Sequence, residues 1–224
     1  MDSPSIPTAT VLGLGLLLGL RHAMDPDHVV AVTAIAARTR RAGPAAWLGI
    51  VWGAGHTLTL WAVGAVLILF NLVVPPRVGL ALEFAVAMAL VVVGLLNLRS
   101  HAPLHSELED APAGPLARRA FLVGLIHGLA GSAAVALLVL ATVRDTGLAC
   151  GYLGVFALGT LLGMTLITTG LAVPVSVFSR RFALAPGTLR IATGLLSLGF
   201  GLWLAWQIGW VDGLFTAAPR WSPH

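Results

Sequence analysis

Six long apolar stretches dominate the sequence and decide which solvent surrounds the fold. They cover residues 8–37, 45–74, 78–98, 120–143, 151–177 and 187–209 of the 224-residue chain. Each has at least the roughly 20 residues that an α-helix needs to cross a hydrocarbon core. Only 10% of residues are charged and 58% are hydrophobic, whereas a soluble domain has about 25% and 45–50%. The sequence therefore predicts an all-α, polytopic membrane protein whose partner is the lipid bilayer and not a nucleic acid.

The positive charges of the chain predict its orientation. All 13 basic residues are arginine. The connections after the first, third and fifth stretches hold nine of them, which are Arg38, Arg40, Arg41, Arg99, Arg118, Arg119, Arg180, Arg181 and Arg190. The opposite side holds three, which are Arg77, Arg144 and Arg220. Because cytoplasmic loops carry an excess of arginine and lysine, we expect a plasma-membrane protein with both termini outside and the polar loop 99–119 in the cytoplasm.

An internal repeat runs through the apolar stretches. A shift of 105 residues places Gly19–His22 on Gly124–His127, including a histidine on a histidine. The same shift places Trp47–Ile50 on Tyr152–Val155. Isolated leucine matches mean little in an apolar chain, but a near-constant offset across several stretches indicates duplication.

The repeat predicts the architecture. It divides the chain into a first three-helix repeat (1–98), the polar loop (99–119) and a second three-helix repeat (120–224). An odd number of spans in each half makes the halves enter the membrane from opposite faces. The expected fold is the 3+3 inverted repeat of secondary transporters, with a substrate site near the midplane between the halves.

The first stretch should be broken in its middle. As one helix, residues 8–37 would measure about 45 Å against a hydrocarbon core of about 30 Å. Pro26 removes a backbone donor and clashes with the preceding turn, and it also disfavours the helical conformation at Asp25. The sequence therefore predicts a helix broken at Asp25-Pro26.

Four ionisable residues surround this predicted break: His22, Asp25, Asp27 and His28. Charges at membrane depth cost several kcal/mol each, so they need partners or a function. Two neutral imidazoles and two carboxylates match a divalent cation in charge, and mixed ligands of this kind suit Ni(II), Co(II) or Zn(II). The more ordinary interpretation makes Asp25 a helix N-cap or a partner of Arg21. It leaves the two histidines unexplained, so we predict a metal site.

The second half carries polar and helix-breaking residues at matching positions. In the repeat alignment His22, Pro26 and Asp27 fall on His127, Gly131 and Ser132. Interrupted segments at corresponding positions of two halves are the best sequence pointer to a transporter site. We therefore predict His127 as a ligand and Ser132 as a pathway-lining residue. The alternative is close helix packing through small residues, with His127 bonded across helices.

His56 lies near the middle of the second apolar stretch. A single buried histidine is more often a packing residue than a ligand. Because a histidine and aspartate cluster is expected on the neighbouring span, we include His56 in the predicted metal site.

The motifs around these residues resemble those of the nickel/cobalt transporter family (NiCoT). Residues 21–29 (Arg-His-Ala-Met-Asp-Pro-Asp-His-Val) are similar to its signature of His, four residues and Asp-His. Residues 53–57 (Gly-Ala-Gly-His-Thr) resemble its Gly-His-Ser/Thr motif. Residues 127–134 (His-Gly-Leu-Ala-Gly-Ser-Ala-Ala) are most similar to the short UreH-like branch. The resemblance covers nearly the whole chain.

This resemblance implies a permease for Ni(II), with Co(II) as a second substrate, that serves nickel enzymes such as urease. It carries His22, Asp27 and His28 over as metal-binding residues and His56 as a pathway residue. The larger uptake permeases have acidic residues in the second-half motif and eight spans, and this chain has neither. The resemblance implies no resident cofactor and no enzymatic activity.

Three other functions remain open from the residues alone. They are an exporter of another metal or small anion on a related fold, an intramembrane hydrolase using Ser132, and a haem protein with histidine axial ligands. The chain has no Gly-x4-Gly-Lys-Ser/Thr motif, so it does not power transport by hydrolysing ATP itself.

The arginine distribution gives a topology that cysteine labelling can test. In a Cys150→Ser background, a cysteine at position 108 should resist a membrane-impermeant thiol reagent in intact cells, and a cysteine at position 218 should react. The opposite labelling pattern would contradict the predicted orientation.

Overall fold

The computed structural model describes residues 7–36, 42–99, 114–142, 145–181 and 186–221. Within these ranges the regular structure is entirely helical. The helices in chain order are α1 (Thr8–His22), α2 (Pro26–Ala36), α3 (Ala42–Leu69), α4 (Pro76–Arg99), α5 (Pro115–Thr142), α6 (Thr146–Arg181) and α7 (Pro186–Trp206), which a π-helical turn (Gln207–Val211) continues.

Helices long and apolar enough to cross a membrane make up much of the described chain. There are 4 of them, at Gly43–Leu69, Pro76–Arg99, Thr146–Ala172 and Gly187–Val211. Large apolar side chains face outward, as Leu166 and Leu195 do at 66% and 56% exposure. A surface of this kind is expected where lipid replaces water. The prediction of an all-helical, multi-pass membrane protein is confirmed.

The first stretch forms two helices, because α1 ends at His22 and α2 begins at Pro26, and the predicted break is thus confirmed. The bounds of the other helices differ from the predicted stretches by a few residues. The predicted loop 99–119 is too long at its far end, since α5 already begins at Pro115. Proline is favoured at the first helical position because its fixed φ suits the helix and its missing N–H is not needed there. The remainder of that loop, residues 100–113, lies outside the described residues.

Glycines bring two pairs of helices into backbone contact. A Cβ added at Gly19 of α1 would meet the carbonyl oxygen of Phe156 in α6. In the same way, a Cβ added at Gly124 of α5 would meet the carbonyl oxygen of Trp52 in α3. Without a hydrophobic driving force between helices in lipid, such close approach provides the van der Waals contact that holds them together.

Helices α4 and α7 form a third close pair. A Cβ at Gly94 would lie 2.6 Å from the Leu198 nitrogen and 2.8 Å from the Gly194 oxygen. The buried Ser197 hydroxyl also donates a hydrogen bond to the Leu90 carbonyl, at 2.8 Å. These contacts set the position of α4 and α7 beside the break between α1 and α2.

The chain after the π-helical turn folds back onto the N-terminal end of α4. Gly213 makes the turn with a φ of +88°, a backbone conformation that residues other than glycine rarely adopt. The Arg77 guanidinium then donates a hydrogen bond to the Thr216 carbonyl, at 3.2 Å. We call Asp212–Trp221 the C-terminal segment.

The α4–α7 contact predicts a clear difference between two glycine variants. Gly94→Ala places a methyl against backbone atoms that cannot rotate away, so it should destabilise the protein by about 1–3 kcal/mol, the usual cost of overpacking. Gly199→Ala is the matched control, because nothing lies within 4 Å of its Cβ position, and it should be neutral or slightly stabilising. The free energy of unfolding in detergent micelles measures both. Equal values would contradict the close packing.

Candidate metal centre

The break between α1 and α2 is a tight turn closed by the backbone. The Met24 and Asp25 nitrogens donate hydrogen bonds to the carbonyls of Arg21 and His22, at 2.8 and 3.1 Å. Pro26 then starts α2 and has no N–H to continue the ladder of α1. The turn therefore brings the end of α1 close to the beginning of α2, and with them the ionisable residues predicted at the break.

Three imidazole rings meet beside this turn. His22 comes from the end of α1, His28 from the first turns of α2 and His56 from α3. Ring centroids are separated by 4.7 Å between His22 and His28, 5.0 Å between His28 and His56, and 5.4 Å between His22 and His56. His28 and His56 are buried. The structure thus brings together residues that lie 34 positions apart in the chain.

The three rings have the composition and spacing of a candidate metal site. One nitrogen from each of His22, His28 and His56 lies within 4.8 Å of the others. A metal that binds imidazole nitrogen at about 2.1 Å, as zinc does, requires ligand atoms roughly 3–3.4 Å apart. Nitrogens at the 4.8 Å limit would therefore need to approach one another by roughly 1.4–1.8 Å to bind one ion.

Asp25 orients His22. Its Oδ2 lies 2.7 Å from the His22 Nδ1, and because a carboxylate only accepts, Nδ1 carries the proton and donates. The lone pair of His22 is then on Nε2, which is buried and has no hydrogen-bond partner among the described residues. Metal-binding histidines usually donate their second nitrogen in this way, which fixes the ring and its tautomer. The carboxylate is therefore not committed to Arg21.

His127 of α5 joins the group from the second half of the chain. Its Nδ1 lies 2.9 Å from the Val123 carbonyl oxygen, which only accepts, so this nitrogen also donates. The Nε2 of His127 is left buried and unpartnered among the described residues. Its ring centroid lies 5.6 Å from that of His28. His127 can therefore offer a lone pair to the same space.

Asp27 lies beside His28 and belongs to a second group of possible ligand atoms. Oxygens of Asp25 and Asp27 and a nitrogen of His28 form a second group within 4.8 Å of one another. The Asp27 Oδ1 is 3.5 Å from the His28 Nδ1, which is too long for a good hydrogen bond. Neither nitrogen of His28 has a hydrogen-bond partner among the described residues. His28 therefore belongs to both the imidazole group and the carboxylate group.

Two aromatic rings that the sequence analysis did not single out enclose the imidazoles. Trp52 lies 5.6 Å from His28 and 5.8 Å from His127 between ring centroids. Phe156 lies 5.5 Å from His22. Trp52 precedes His56 by four residues on α3, so helical spacing could have placed it on the same face. Phe156 had no such signal, because only tertiary packing brings α6 to this point.

A cleft of about 420 Å³ leads to the cluster. Its walls include His22, His28 and His127, and also the charged residues Arg21, Asp25, Asp27 and Glu83. Three carboxylates against one guanidinium give this lining a formal charge of −2 when the imidazoles are neutral. His56 lies behind the lining and is fully buried. The sequence analysis missed Glu83, which shares no motif with the cluster.

Ser132 is the one predicted site residue about which the structure adds nothing. Its backbone belongs to α5, but its side chain lies outside the part of the chain whose side chains are described. The six other predicted residues, His22, Asp25, Asp27, His28, His56 and His127, all lie in or beside the same cluster.

The fold and this cluster define a multi-pass membrane protein with a candidate transition-metal centre. The chain is 35% identical over 217 residues to the urease accessory protein UreH of Bacillus sp. (strain TB-90), covering 92% of this chain and 95% of the relative. No family model matches the chain, and no solved structure matches it.

The chain belongs to the UreH family, the short branch of the nickel/cobalt transporters that its motifs resemble. The relative is an accessory protein by name, which agrees with the prediction that this chain is not an enzyme.

The position of His28 predicts how histidine variants bind metal. Because His28 belongs to both ligand groups, His28→Ala should lower Ni(II) affinity by about 100-fold or more, which exceeds the roughly 10–100-fold cost of losing only an outer-shell partner of a ligand. His127→Ala should weaken binding less, since its ring contacts only one of the three clustered imidazoles. Equilibrium dialysis of the purified protein with radioactive nickel measures both. Full binding by His28→Ala would exclude this cluster as the metal site.

Proposed function

We propose that this protein is a permease that carries Ni(II), and Co(II) as a second substrate, across the plasma membrane through the histidine and aspartate cluster. The observation that carries the proposal is the set of buried, unpartnered imidazole nitrogens at a helix break. His22, His28, His56 and His127 each contribute at least one. Leaving such an atom without a partner costs about 1–3 kcal/mol, and a metal ion would recover that cost.

The donor atoms favour a borderline transition metal over a hard cation. Imidazole suits nickel, cobalt and zinc, whereas Mg²⁺ and Ca²⁺ prefer oxygen ligands. Asp25 and Asp27 together supply two negative charges beside the imidazoles. A dication with two carboxylates is neutral as a whole, which lowers the cost of holding it at membrane depth.

The two carboxylates have different roles in this proposal. Asp25 is engaged with His22 at 2.7 Å and orients that ring. Asp27 lies in the first turn of α2 and has no comparable bond to His28, so its oxygens are the better candidates for direct contact with the ion. The proposal thus assigns different roles to two carboxylates that the sequence analysis predicted together as ligands.

The contacts of α4 and α7 support an inverted repeat. A Cβ at Gly94 would meet the Leu198 nitrogen and the Gly194 oxygen, and a Cβ at Gly201 would meet the Val91 nitrogen and the Ala87 oxygen. A shift of 107 residues converts one set into the other with the roles of the two helices exchanged. A two-fold axis between the helices would produce this reciprocity.

The α1–α6 and α3–α5 pairs repeat the same pattern. Gly159 of α6 approaches the Leu16 oxygen and the Leu20 nitrogen of α1, and Gly55 of α3 approaches the Phe121 oxygen and the Leu125 nitrogen of α5. The carbonyl and amide partners are related by the 105-residue shift of the predicted repeat. This supports two three-helix halves that rock against one another around the cluster, which is the basis of alternating access.

The name of the relative supports a use for the transported nickel in a nickel enzyme. The Bacillus protein is called a urease accessory protein, and we propose that this chain delivers nickel for a nickel enzyme such as urease. The comparison does not favour the hydrolase or the exporter that the sequence left open.

The arginine distribution supports termini on the outside and the loop 99–119 in the cytoplasm.

Replacing each carboxylate by its amide tests the division of roles. In proteoliposomes, Asp27→Asn should reduce Ni(II) transport at least tenfold, because the variant retains the shape of the side chain but loses a charge beside the dication. Asp25→Asn should reduce it less, since an amide oxygen still accepts the hydrogen bond from His22.

Competition with Co(II) and Zn(II) in the same assay ranks the substrates. If the protein transports none of these metals, uptake will not exceed that of vesicles without protein, and this result would contradict the proposed function. Wild-type transport by Asp27→Asn would contradict the proposed role of Asp27.

A further inference from the structure

A second cavity lies between α4 and α5, away from the histidine cluster. Its volume is about 510 Å³, and it shares no lining residue with the cleft that leads to the cluster. Met88, Val92 and Leu122 line it and are exposed, so the cavity is a groove that opens onto the outer surface of the helices. We call it the α4–α5 groove.

The pairing of the helices explains why this groove exists. Gly94 brings α4 against α7, and Gly124 and Gly128 bring α5 against α3. Among the described residues that line the groove, none is glycine. Three buried alanines line it instead, one on each of α2, α4 and α5: Ala34, Ala89 and Ala120. Helices α4 and α5 therefore remain apart at the surface, and small side chains leave space beneath it.

The groove has the length and the polarity of a site for an acyl chain. Its lining runs along α5 from Leu116 to Leu129, which is about 20 Å at 1.5 Å per residue. One leaflet of the hydrocarbon core is about 15 Å thick. Arg119 is the one charged side chain among the described residues that line the groove. The groove can therefore hold one chain of methylene groups along its length.

Arg119 lies near the end of the groove that is remote from the metal centre. Val86 of α4 and Ala130 of α5 both line the histidine cleft, and the groove extends away from that level to Leu96 and Leu116. At this end α4 stops at Arg99 and α5 begins at Pro115, so the groove reaches the boundary of the spanning helices. The Arg119 side chain is exposed there, at the level where lipid headgroups begin.

We propose that the α4–α5 groove binds one anionic phospholipid, with an acyl chain along the apolar lining and the phosphate on Arg119. An acyl chain restores the dispersion contacts that an empty groove would forfeit. A guanidinium binds phosphate oxygens through charge-assisted hydrogen bonds. A headgroup with a net negative charge is favoured, because it carries no cation of its own to compete for the phosphate. The site does not depend on which ion the protein carries.

The groove adjoins the metal centre through Val123. This residue lines the groove, and its carbonyl oxygen accepts the hydrogen bond from His127 Nδ1, at 2.9 Å. The bound acyl chain packs against the turn of α5 that orients this histidine. It also fills the space between α4 of the first predicted repeat and α5 of the second.

Native mass spectrometry of the purified full-length protein in detergent tests the proposal. Titration with phosphatidylglycerol should show one molecule that binds more tightly than the following ones, and more tightly than phosphatidylcholine with the same chains. Glycerol phosphate, which has the phosphate but no chains, should not bind at these concentrations. Equal affinity for the two lipids would overturn the role of charge. Binding of glycerol phosphate as tight as that of the lipid would overturn the role of the groove.

Two neighbouring arginines separate the proposed contact from general surface charge. Arg118 is exposed on the same turn of α5 but is not part of the groove lining. Arg119→Gln should weaken phosphatidylglycerol binding about fivefold, the upper end of what an exposed ion pair contributes. Arg118→Gln removes the same charge and should bind this lipid as wild type does. Equal losses in the two variants would overturn the contact with Arg119.

Two valines test the position of the acyl chain. Val92 lines the groove on α4, whereas Val66 lies on α3 outside it, and their exposures of 50% and 47% match. Val92→Trp fills the groove and should abolish the tight binding of the first lipid, and Val66→Trp should retain it. Tight binding by a folded Val92→Trp protein would exclude the groove, with folding checked by circular dichroism. If this variant does not fold, the arginine pair decides.

The same spectra distinguish a lipid from a second copy of the chain. If the wild-type protein is a dimer that retains no phosphatidylglycerol, the groove is an interface between copies and the proposal is overturned. Loss of nickel transport with lipid binding intact would contradict the proposed function and leave this inference standing.

Discussion

The missing N–H of Pro26 is the constraint on which the rest of this structure depends. A continuous helix would carry His22 and His28 along one axis, with Asp27 pointing away from both. Because Pro26 has no N–H to donate to the His22 carbonyl and its ring clashes with the preceding turn, α1 ends at His22 and a new helix begins at Pro26. The turn between them packs the His22 and His28 rings 4.7 Å apart and brings Asp27 to the cleft.

Hydrogen bonds to acceptors prepare the histidines for a cation. Asp25 and the Val123 carbonyl can only accept, so they fix the proton of His22 and of His127 on Nδ1. Each ring then presents a lone pair from Nε2 in a space that holds no donor for it among the described residues. A fold that only needed to pack these side chains would gain by pairing them or by replacing them with apolar residues. The unpaired lone pairs are therefore better explained by a ligand than by packing.

Sequence reasoning predicted the elements that depend on local chemistry and missed those that depend on packing. Apolar length predicted the helices, and Pro26 predicted the break. The identity of the side chains at that break predicted the cluster, because charge at membrane depth has few uses. Phe156 and Glu83 could not be found in this way, since each reaches the cavity only through the contacts of a whole helix. The bond from Trp221 to Glu83 joins residues 138 positions apart, and no local pattern encodes it.

The two proposed halves differ in chemistry at aligned positions, and in the proposed mechanism this difference would give the site a direction. Where the first half has Asp27, the second has the uncharged Ser132 in the repeat alignment. The second half therefore offers the imidazole of His127 and, at the positions aligned with Asp25 and Asp27, no charge. An ion held by charge on the first half and by a neutral ligand on the second is bound unequally by the two. In the mechanism proposed above, rocking of one half against the other would leave the ion with the carboxylates and release it from His127 at little electrostatic cost, because a neutral ligand is lost more readily than a charged one.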